Sequence, residues 1–472
     1  MSRILAFLTV LLAAVSPLAA QVRRQGEPIS LTLHPATLSE PSLKYRLLPD
    51  RAELVPGNAA TIYYRSEAMF VENRYLLDDI QEDHWDRWFI TPVKDLPLKE
   101  VEAKLGPARN FLHEIEVATH YRRCDWEVDS RSEGVGLFTP DLRGFRRAAL
   151  LLGVRARDDM ARGRFPEALQ SLQTGYALAR HLGAGPSFNH VLVAEVAANL
   201  MNYQLEDLIQ RPGAPNLYWS LAVLPRPYFD IGPAVEDEGT VLERTWPWLK
   251  RLEEGPMNGD EVRAAREKVR KTLERYNVTP PDADKAVQEA YPEAKRALLG
   301  QGIAAREVDT MPPFQVVALD AARQYRRAWQ EYTKWFQLPG GWREPGYRKA
   351  AERYRAAVTR LDRLFFGGLI HALGIGDPDT LNKVYTSMDQ IERNLAALRC
   401  LEALRLYAAD HGGKLPAALG DITEVPVPPD PITGKPFTYE ARGDHARLSA
   451  AAPTDEPPPT LQKLVYEVTL KP

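Results

Sequence analysis

The stretch GRFPEALQSLQTGYALA, Gly163–Ala179, decides the fold of this chain. Its apolar and small residues recur at the spacing of one helix face: Phe165, Ala168, Leu169, Leu172, Tyr176 and Leu178. A second apolar helical pattern, Phe145–Ala156, precedes it, and Gly163 stands between the two. Glycine ends helices readily because it adopts positive φ without steric cost. The sequence therefore predicts a helical hairpin between Pro140 and Gly183.

Helical periodicity extends over most of the remaining chain. The further predicted helices are one capped by Asn58, one from Leu105 that ends near Arg123, Phe188–Gln210, Asn216–Leu224, Ala234–Glu254, Asp260–Tyr276, Phe314–Phe336, Tyr347–Leu373 and Asn382–Asp410. After Pro416 the pattern changes to a β-hairpin, Phe437–Ala441 with Ala446–Ala450, and one more strand, Leu464–Thr469. The predicted fold class is mainly α, with stacked helical hairpins and a small C-terminal α+β module.

Gly163–Ala179 resembles the second helix of a tetratricopeptide repeat. Gly163 and Phe165 match its turn, and Ala168 matches the small position where the two helices approach closely. Arg155 and Asp159 stand where the first helix of that repeat normally carries apolar residues, so the copy is degenerate. The resemblance implies stacked tetratricopeptide-like hairpins, and generic stacked helices are the alternative.

The C-terminal segment resembles the periplasmic part of type II secretion major pseudopilins. The residues that carry this resemblance are LRLYAADHGGKLPAALGDI, Leu404–Ile422, and DPITGKPFTYEARGDHARL, Asp430–Leu448. The acidic calcium loop of those pseudopilins has no counterpart after Leu448, so no metal ligand is implied here. Asp430, Pro431, Gly434 and Tyr439 are interpreted as turn and packing residues.

The whole chain also resembles a group of exported bacterial proteins of unassigned activity. The shared order includes LKYRLLP at Leu43–Pro49, RRCDW at Arg122–Trp126 and IQRPGAPNLYW at Ile209–Trp219. Export is expected from the residues as well, because Arg3 and the apolar run Ile4–Val15 precede a small-residue cleavage site at Ala20. A membrane anchor is the alternative, but twelve helical residues cover only ~18 Å of a ~30 Å hydrocarbon core.

Four segments follow from these patterns. They are a signal peptide at 1–20, an extended lead segment at 21–57, a helical domain at 58–376 and the α+β module at 377–472. The mature protein is expected in the periplasm or outside the cell, without a transmembrane span.

Composition and motifs exclude several kinds of activity. The 472 residues hold 60 Lys and Arg against 63 Asp and Glu, a net charge of -3, so no nucleic-acid partner is expected. The sequence contains no GxSxG, HExxH or GxxxxGK[ST] pattern, and no catalytic, cofactor-binding or metal-binding residue is predicted. The acids Asp158 and Asp159 are interpreted as part of a solvated helix face. The alternative is that they act in general acid/base catalysis. Cys124 and Cys400 are interpreted as two unpaired buried thiols, with a disulfide as the alternative.

The segment EDHWDRWFITP holds the one predicted partner-binding group, Trp85, Arg87 and Trp88, outside any obvious helix. Trp and Arg dominate interface hot spots. The alternative is a loop held against the helices by two buried indoles. The leading hypothesis is a non-catalytic interaction or scaffold protein of the cell envelope with an unidentified protein or peptide partner. An envelope hydrolase with a dispersed active site and an accessory component of a secretion or pilus machine are the alternatives.

Overall fold

The computed structural model describes residues 27–73, 84–127, 142–338, 340–343, 346–452 and 463–472. The predicted signal peptide lies outside these residues. The described chain is mainly helical, and one small sheet contains the C-terminal strands. Within the described residues, no helix combines the length and the apolar character that crossing a membrane requires.

The elements follow one another along the chain in two stretches. Up to residue 245 they are β1 (Ile29–Leu33), β2 (Val55–Asn58), α1 (Ala59–Glu72), α2 (His84–Ile90), α3 (Leu98–Leu105), α4 (Arg109–Thr119), β3 (Tyr121–Arg123), α5 (Arg143–Ala161), α6 (Phe165–Gly183), α7 (Phe188–Ile209), α8 (Tyr218–Ala222) and α9 (Gly232–Thr245). The others are α10 (Trp248–Arg251), α11 (Gly259–Arg275), α12 (Ala283–Gly300), α13 (Ala305–Thr310), α14 (Pro313–Thr333), α15 (Gly340–Arg343), α16 (Gly346–Leu361), α17 (Leu369–Ala372), α18 (Pro378–Asp410), β4 (Thr438–Arg442), β5 (His445–Ala450) and β6 (Leu464–Leu470).

The described residues form two compact units. The larger unit contains residues 27–127, 142–234 and 383–472, and the smaller unit contains residues 235–382. The division falls after Asn382, inside α18.

The predicted helical hairpin is confirmed as α5 and α6 in the larger unit. Gly163 lies in the turn between them with φ of 72°, a conformation that side chains with a Cβ rarely adopt. Pro166 lies in the first turn of α6. A backbone N–H at this position would have no intrahelical acceptor, so the absence of an N–H in proline costs no hydrogen bond. Helix α7 packs against both helices, and a Cβ on Gly175 would overlap the side chain of Met201. These close approaches make the three helices the core of the unit.

Replacing Ala168 by leucine should lower the thermal midpoint of the protein. Ala168 is fully buried at the start of α6. A larger side chain overpacks such a site at a cost of about 1–3 kcal/mol. Thermal unfolding followed by circular dichroism measures the effect, and Glu167→Leu is the matched control because Glu167 is exposed on the same helix turn. Equal midpoints for Ala168→Leu and the wild type would contradict the close crossing.

The predicted C-terminal strands are confirmed, and the lead segment adds a strand that periodicity did not reveal. The sheet has the order β1-β6-β5-β4. β1 pairs with β6 in parallel, with Leu31 opposite Val468, and β4, β5 and β6 pair in antiparallel. The sheet therefore combines a strand from near the start of the described sequence with three strands from near its end.

Side chains of the helices hold the irregular part of the lead segment. Gln173 Nε2 of α6 donates to the carbonyl oxygens of Arg46 and Leu48 at 3.1 and 3.2 Å. Ser220 Oγ of α8 donates to the carbonyl of Tyr45 at 2.6 Å. Each bond satisfies a backbone carbonyl that has no strand or helix partner.

Helix α18 buries an isoleucine and five leucines along its length: Ile391, Leu395, Leu398, Leu401, Leu404 and Leu406. Arg393 of this helix forms a buried ion pair with Asp430 at 2.9 Å. Asp430 also accepts hydrogen bonds from Ile432 N and Thr433 Oγ1 at 3.1 and 2.9 Å. Asp430 is therefore a turn residue, as the sequence indicated.

The smaller unit is a helical core with aromatic contacts. Trp246 and Phe366 lie 4.1 Å apart between ring centroids, and the Tyr332 and Tyr354 rings stack at 5.6 Å. The fully buried Gln315 of α14 accepts from Met257 N and donates to the carbonyl oxygens of Leu252 and Gly255. The charged stretch Asp260–Tyr276 is helix α11.

Three predicted helices differ from the structure. The predicted helix Ala234–Glu254 is two helices, α9 and α10. The predicted helix that ends near Arg123 is two helices, α3 and α4, and Tyr121–Arg123 forms β3, which pairs with β2. The predicted helix Tyr347–Leu373 runs as α16 to Leu361 and continues as a π-helical segment, Asp362–Phe366. It ends there because Gly367 and Gly368 have φ of 57° and 94°. Both cysteines are free, with Cys400 buried and Cys124 half-buried.

Candidate functional site

The predicted partner-binding residues Trp85, Arg87 and Trp88 all lie in helix α2. Trp85 and Trp88 are 1% and 2% exposed, whereas Arg87 is exposed. The two indole rings pack edge to face with centroids 5.4 Å apart. Arg87 Nη2 lies 2.9 Å from His84 Nδ1 of the same helix. The segment is a helix and not a loop, because Trp85, Trp88 and Phe89 share a face at helical spacing.

Burial of both indoles corresponds to the alternative stated for this segment, in which the tryptophans anchor it. A partner can contact Arg87 here but neither indole. The anchored helix has a second consequence, since it places its last two residues, Phe89 and Ile90, and the following Pro92, Val93 and Lys94 against a cavity.

This cavity, named here the strand-edge cavity, has a volume of about 530 Å³. Its walls are residues 27–31 of the lead segment and β1, residues 89–94 after the indoles of α2, and the last turns of α7 from Tyr203 to Arg211. Arg157 of α5 completes the lining. All of these residues belong to the larger unit.

Arg157 is the central charged group of the strand-edge cavity. It is only 3% exposed, and its guanidinium donates to Gln204 Oε1 at 3.1 Å, to the Asp207 carboxylate and to the carbonyl of Thr91. The bond to Thr91 ties α2 and its following segment to the hairpin. A buried guanidinium requires such partners, because an isolated buried charge is strongly destabilising.

Two N–H donors at this cavity have no acceptor. They are Nε of Arg157 and Nε2 of the fully buried Gln204. An unsatisfied buried donor costs about 1–3 kcal/mol. Glu206, in contrast, accepts a hydrogen bond from Tyr466 of β6 at 2.6 Å. Both donor nitrogens are themselves buried and are not accessible from the cavity, so their unmet hydrogen bonds are a cost to the fold.

β1 supplies backbone groups to the same cavity. Thr32 N donates to Gln210 Oε1 at 3.1 Å, whereas the carbonyl of Leu33 accepts from Lys471, the residue after β6. Successive residues of a strand direct their backbone groups to opposite edges. The N–H and C=O of Ser30 therefore point away from β6, on the edge that Thr32 shares, and Ser30 is exposed and lines the cavity.

A second cavity of about 520 Å³ lies where α3 and α4 face the turn of the helical hairpin. Asp158 and Asp159 line it, and both are 6% exposed, so the prediction of a solvated helix face is wrong. Arg164 pairs with Asp158 at 3.1 Å and with Asp159 at 2.7 Å. Burial raises the pKa of Asp159, against the opposing effect of Arg164.

Arg155 of the helical hairpin lies beside these ion pairs. Arg155 Nε donates to Ser171 Oγ at 2.8 Å, and its Nη2 lies 3.8 Å from Glu116. Arg155 and Asp159 thus join α4, α5 and α6 through ion pairs and hydrogen bonds. Their geometry stabilises the turn.

In the smaller unit, two more cavities lie between α12 and α16 and between α14 and α16. Arg360 lines both and pairs with the fully buried Asp320 at 2.8 Å. Among the described residues, no cluster of three or more His, Cys, Asp and Glu side chains could hold a metal ion.

Sequence reasoning missed Arg157, Gln204 and the edge of β1. A signal existed for Arg157, because it interrupts the apolar helix that follows Phe145. No local signal marked Ser30, since its role depends on pairing between strands more than 400 residues apart, as with Ile29 and Tyr466. In comparisons with known proteins, no family model, no curated protein and no solved structure matches this chain.

Proposed function

We propose that this protein is a non-catalytic interaction protein that binds an extended polypeptide segment at the strand-edge cavity. The bound segment adds to the sheet as a neighbour of β1. Strand addition of this kind obtains its affinity from main-chain hydrogen bonds and its selectivity from side-chain pockets beside the edge.

The proposal rests on one observation: the N–H and C=O groups of Ser30 point away from β6, and Ser30 lines the strand-edge cavity. An unpaired strand edge is a template for pairing with another chain. Here the edge adjoins a space of about 530 Å³ that can receive the alternate side chains of the added strand. Ile90, which is 50% exposed, offers apolar surface in that space.

The location of the protein is part of the same proposal. The arginine and apolar run before Ala20 support export, so the peptide would come from another exported or envelope protein. The packed pair α5 and α6 with Ala168 buried supports a degenerate tetratricopeptide-like hairpin. The hydrogen bond from Tyr439 OH to the carbonyl of Pro416 at 3.1 Å joins the two pseudopilin-like motifs and supports that resemblance.

Replacing Ser30 by proline should abolish peptide binding, since proline removes the outward N–H and its ring blocks the edge. The proposed probe is an array of short random peptides, immobilised in parallel through their N-termini and through their C-termini. We expect wild-type protein to bind a subset of them in at least one orientation. Ser30→Ala, which keeps the backbone donor, should bind the same subset with affinity within about threefold of the wild type.

Two further measurements distinguish a loss of peptide binding from a folding defect. The thermal midpoint of Ser30→Pro should equal that of Ser30→Ala, because the Ser30 N–H does not pair with β6. Peptides methylated at alternate backbone nitrogens should lose binding to the wild type in one of the two alternations. No binding in either orientation, or equal binding by Ser30→Pro, would exclude strand addition.

A further inference from the structure

We infer that α14 and α16, together with residues 334–338 and 340–343 that connect them, bind the surface of a membrane that contains anionic lipids. This inference goes beyond the proposed function and does not depend on it, because the strand-edge cavity belongs to the larger unit and these helices belong to the smaller one. Two observations support it: a groove with an excess of positive charge, and two large apolar side chains exposed in the connection.

The groove, named here the basic groove, is the cavity of about 620 Å³ between α14 and α16. Its lining contains three arginines and one acid: Arg327, Arg353, Arg360 and Glu331. The exposed Lys349 extends the same stripe of α16, since it lies one helical turn before Arg353. The cations of both helices therefore face one side of the packed pair.

Arg360 is balanced by acids outside this lining. Its Nη2 lies 2.8 Å from the fully buried Asp320, and its Nη1 lies 3.4 Å from Glu293. Gln324 Nε2 donates to both carboxylate oxygens of Asp320 at 3.0 Å. These contacts fix the guanidinium of Arg360, which therefore adds little to the net charge of the groove.

The other cations of the basic groove are not balanced. Glu331 pairs with Lys334, the first residue after α14. Lys334, with smaller effects of Arg327 and Arg353, holds the pKa of Glu331 below its ordinary value. Because Lys334 already neutralises Glu331, three cations remain without a carboxylate within 4.0 Å in the described part of the chain: Arg327, Arg353 and Lys349.

The arrangement of these cations favours an extended anionic surface over a single small anion. From Lys349 to Arg360 the stripe extends about 16 Å along α16, at about 1.5 Å per residue. Lys349 and Arg353 are four residues apart, a spacing at which like charges repel each other on a helix. A layer of anionic headgroups contacts all of the cations at once and relieves this repulsion.

The connection supplies exposed apolar side chains at the end of the basic groove. In the described part of the smaller unit, two large apolar side chains are exposed, Leu338 at 36% and Trp342 at 70%. The connection begins against the first turn of α16, because a Cβ on Gly346 would overlap the ring of Trp335. Gly346 lies three residues before Lys349. Tryptophan is enriched at membrane–water interfaces, and basic residues beside it attract anionic headgroups.

The test is co-sedimentation of the mature chain with lipid vesicles. The predicted signal peptide is omitted, so that its apolar run cannot insert. Vesicles of phosphatidylcholine alone are compared with an equimolar mixture of phosphatidylglycerol and phosphatidylcholine. We expect at least about tenfold stronger binding to the mixture, and a steep loss as NaCl rises from about 0.05 M to about 0.5 M, because salt screens exposed charges. No binding to the mixture, or equal binding to both kinds of vesicle, would overturn the inference.

Substitutions in the basic groove test whether the membrane contacts this surface. Arg327→Gln combined with Arg353→Gln should weaken binding to the mixed vesicles by about tenfold or more. Arg263→Gln combined with Arg270→Gln is the matched control, because it removes the same charge from exposed positions of α11 in the same unit. The control should change binding by less than about threefold. Equal losses in the two double variants would mean that net charge alone attracts the membrane.

The exposed indole gives an independent test. Trp342→Ser should weaken binding by about fivefold or more and leave the thermal midpoint unchanged, because the side chain is 70% exposed. Val223→Ser, which removes an apolar side chain that is 50% exposed in the larger unit, should bind as the wild type. Wild-type binding by Trp342→Ser would contradict insertion of the indole. Displacement from the vesicles by inorganic phosphate at constant ionic strength would assign the groove to a free anion instead.

Discussion

Replacing Arg405 by methionine should lower the free energy of unfolding of the larger unit by about 3–5 kcal/mol, the range for breaking a buried ion pair. Arg405 and Glu402 lie one turn apart on α18, and neither side chain is exposed. Arg405 Nη1 donates to both carboxylate oxygens at 2.9 and 3.0 Å. Burial raises the pKa of Glu402, and Arg405 opposes that effect. Without the arginine, an uncompensated acid would remain in the core.

Arg405 also joins three distant parts of the chain. Its guanidinium donates to the carbonyl of His34 at 3.0 Å and to the carbonyl of Ala214 at 2.7 Å. The His34 carbonyl directly follows β1, so the substitution should loosen the pairing of β1 with β6. Hydrogen exchange at the Leu33 amide should therefore accelerate along with the fall in stability.

Urea unfolding followed by far-ultraviolet circular dichroism measures the change. Replacing both residues, Arg405→Met with Glu402→Leu, should recover much of the loss, because no buried charge then remains. Arg270→Met is the matched control, since Arg270 pairs with Glu267 and Glu274 on the exposed face of α11 and should leave the transition unchanged. An unchanged transition for Arg405→Met would show that the pair contributes nothing to the fold.

The helices of this protein were predictable because their information is local. In α5 and α6 the apolar residues recur at helical spacing, Gly163 marks the turn, and Ala168 marks a close contact. The β-hairpin of β4 and β5 was equally local, since its strands flank Arg442-Gly443-Asp444. Short-range spacing alone determines such elements.

The candidate site was not predictable in the same way. Ser30 lies on a free edge only because β1 pairs with β6, which is distant in the sequence. Two parallel strands are not joined by a short turn, so no turn motif in the sequence predicts their pairing. Trp85 and Trp88 were predicted as partner-binding residues, but the sequence could not distinguish a binding surface from an anchor. Burial decided between the two, and burial depends on tertiary packing.

Acidification should destabilise the larger unit through His190 and His181. His190 is fully buried, its Nδ1 lies 2.8 Å from Ser187 Oγ, and its Nε2 has no hydrogen-bond partner among the described residues. Burial lowers the pKa of His190 from 6.5 to about 4. His181 lies 2.9 Å from Tyr63 OH, and burial, with a smaller effect of Arg180, lowers its pKa to about 4 as well. Both imidazoles are therefore neutral in the folded protein at pH 7.

The direction of the effect follows from which state binds protons first. In the unfolded chain a histidine takes up its proton near pH 6.5, whereas in the folded chain it does so only near pH 4. Between these values the unfolded state holds more protons, so the free energy of unfolding falls as the pH decreases from 6.5 to 4. For His190 the fall amounts to about 2–3 kcal/mol. His181 is partly accessible to solvent and should contribute less.

The buried acids act in the opposite direction and make a variant comparison necessary. Burial raises the pKa of Glu195 and of Glu392, so both favour the folded state on acidification. Urea unfolding at pH 7 and at pH 4 should therefore be compared between the wild type and His190→Gln, in which the acids are unchanged. The loss of stability on acidification should be smaller in the variant by about 2–3 kcal/mol. The exposed His113 provides the control, and His113→Gln should behave as the wild type. An equal loss in all three proteins would mean that His190 takes up its proton as readily in the folded state as in the unfolded state.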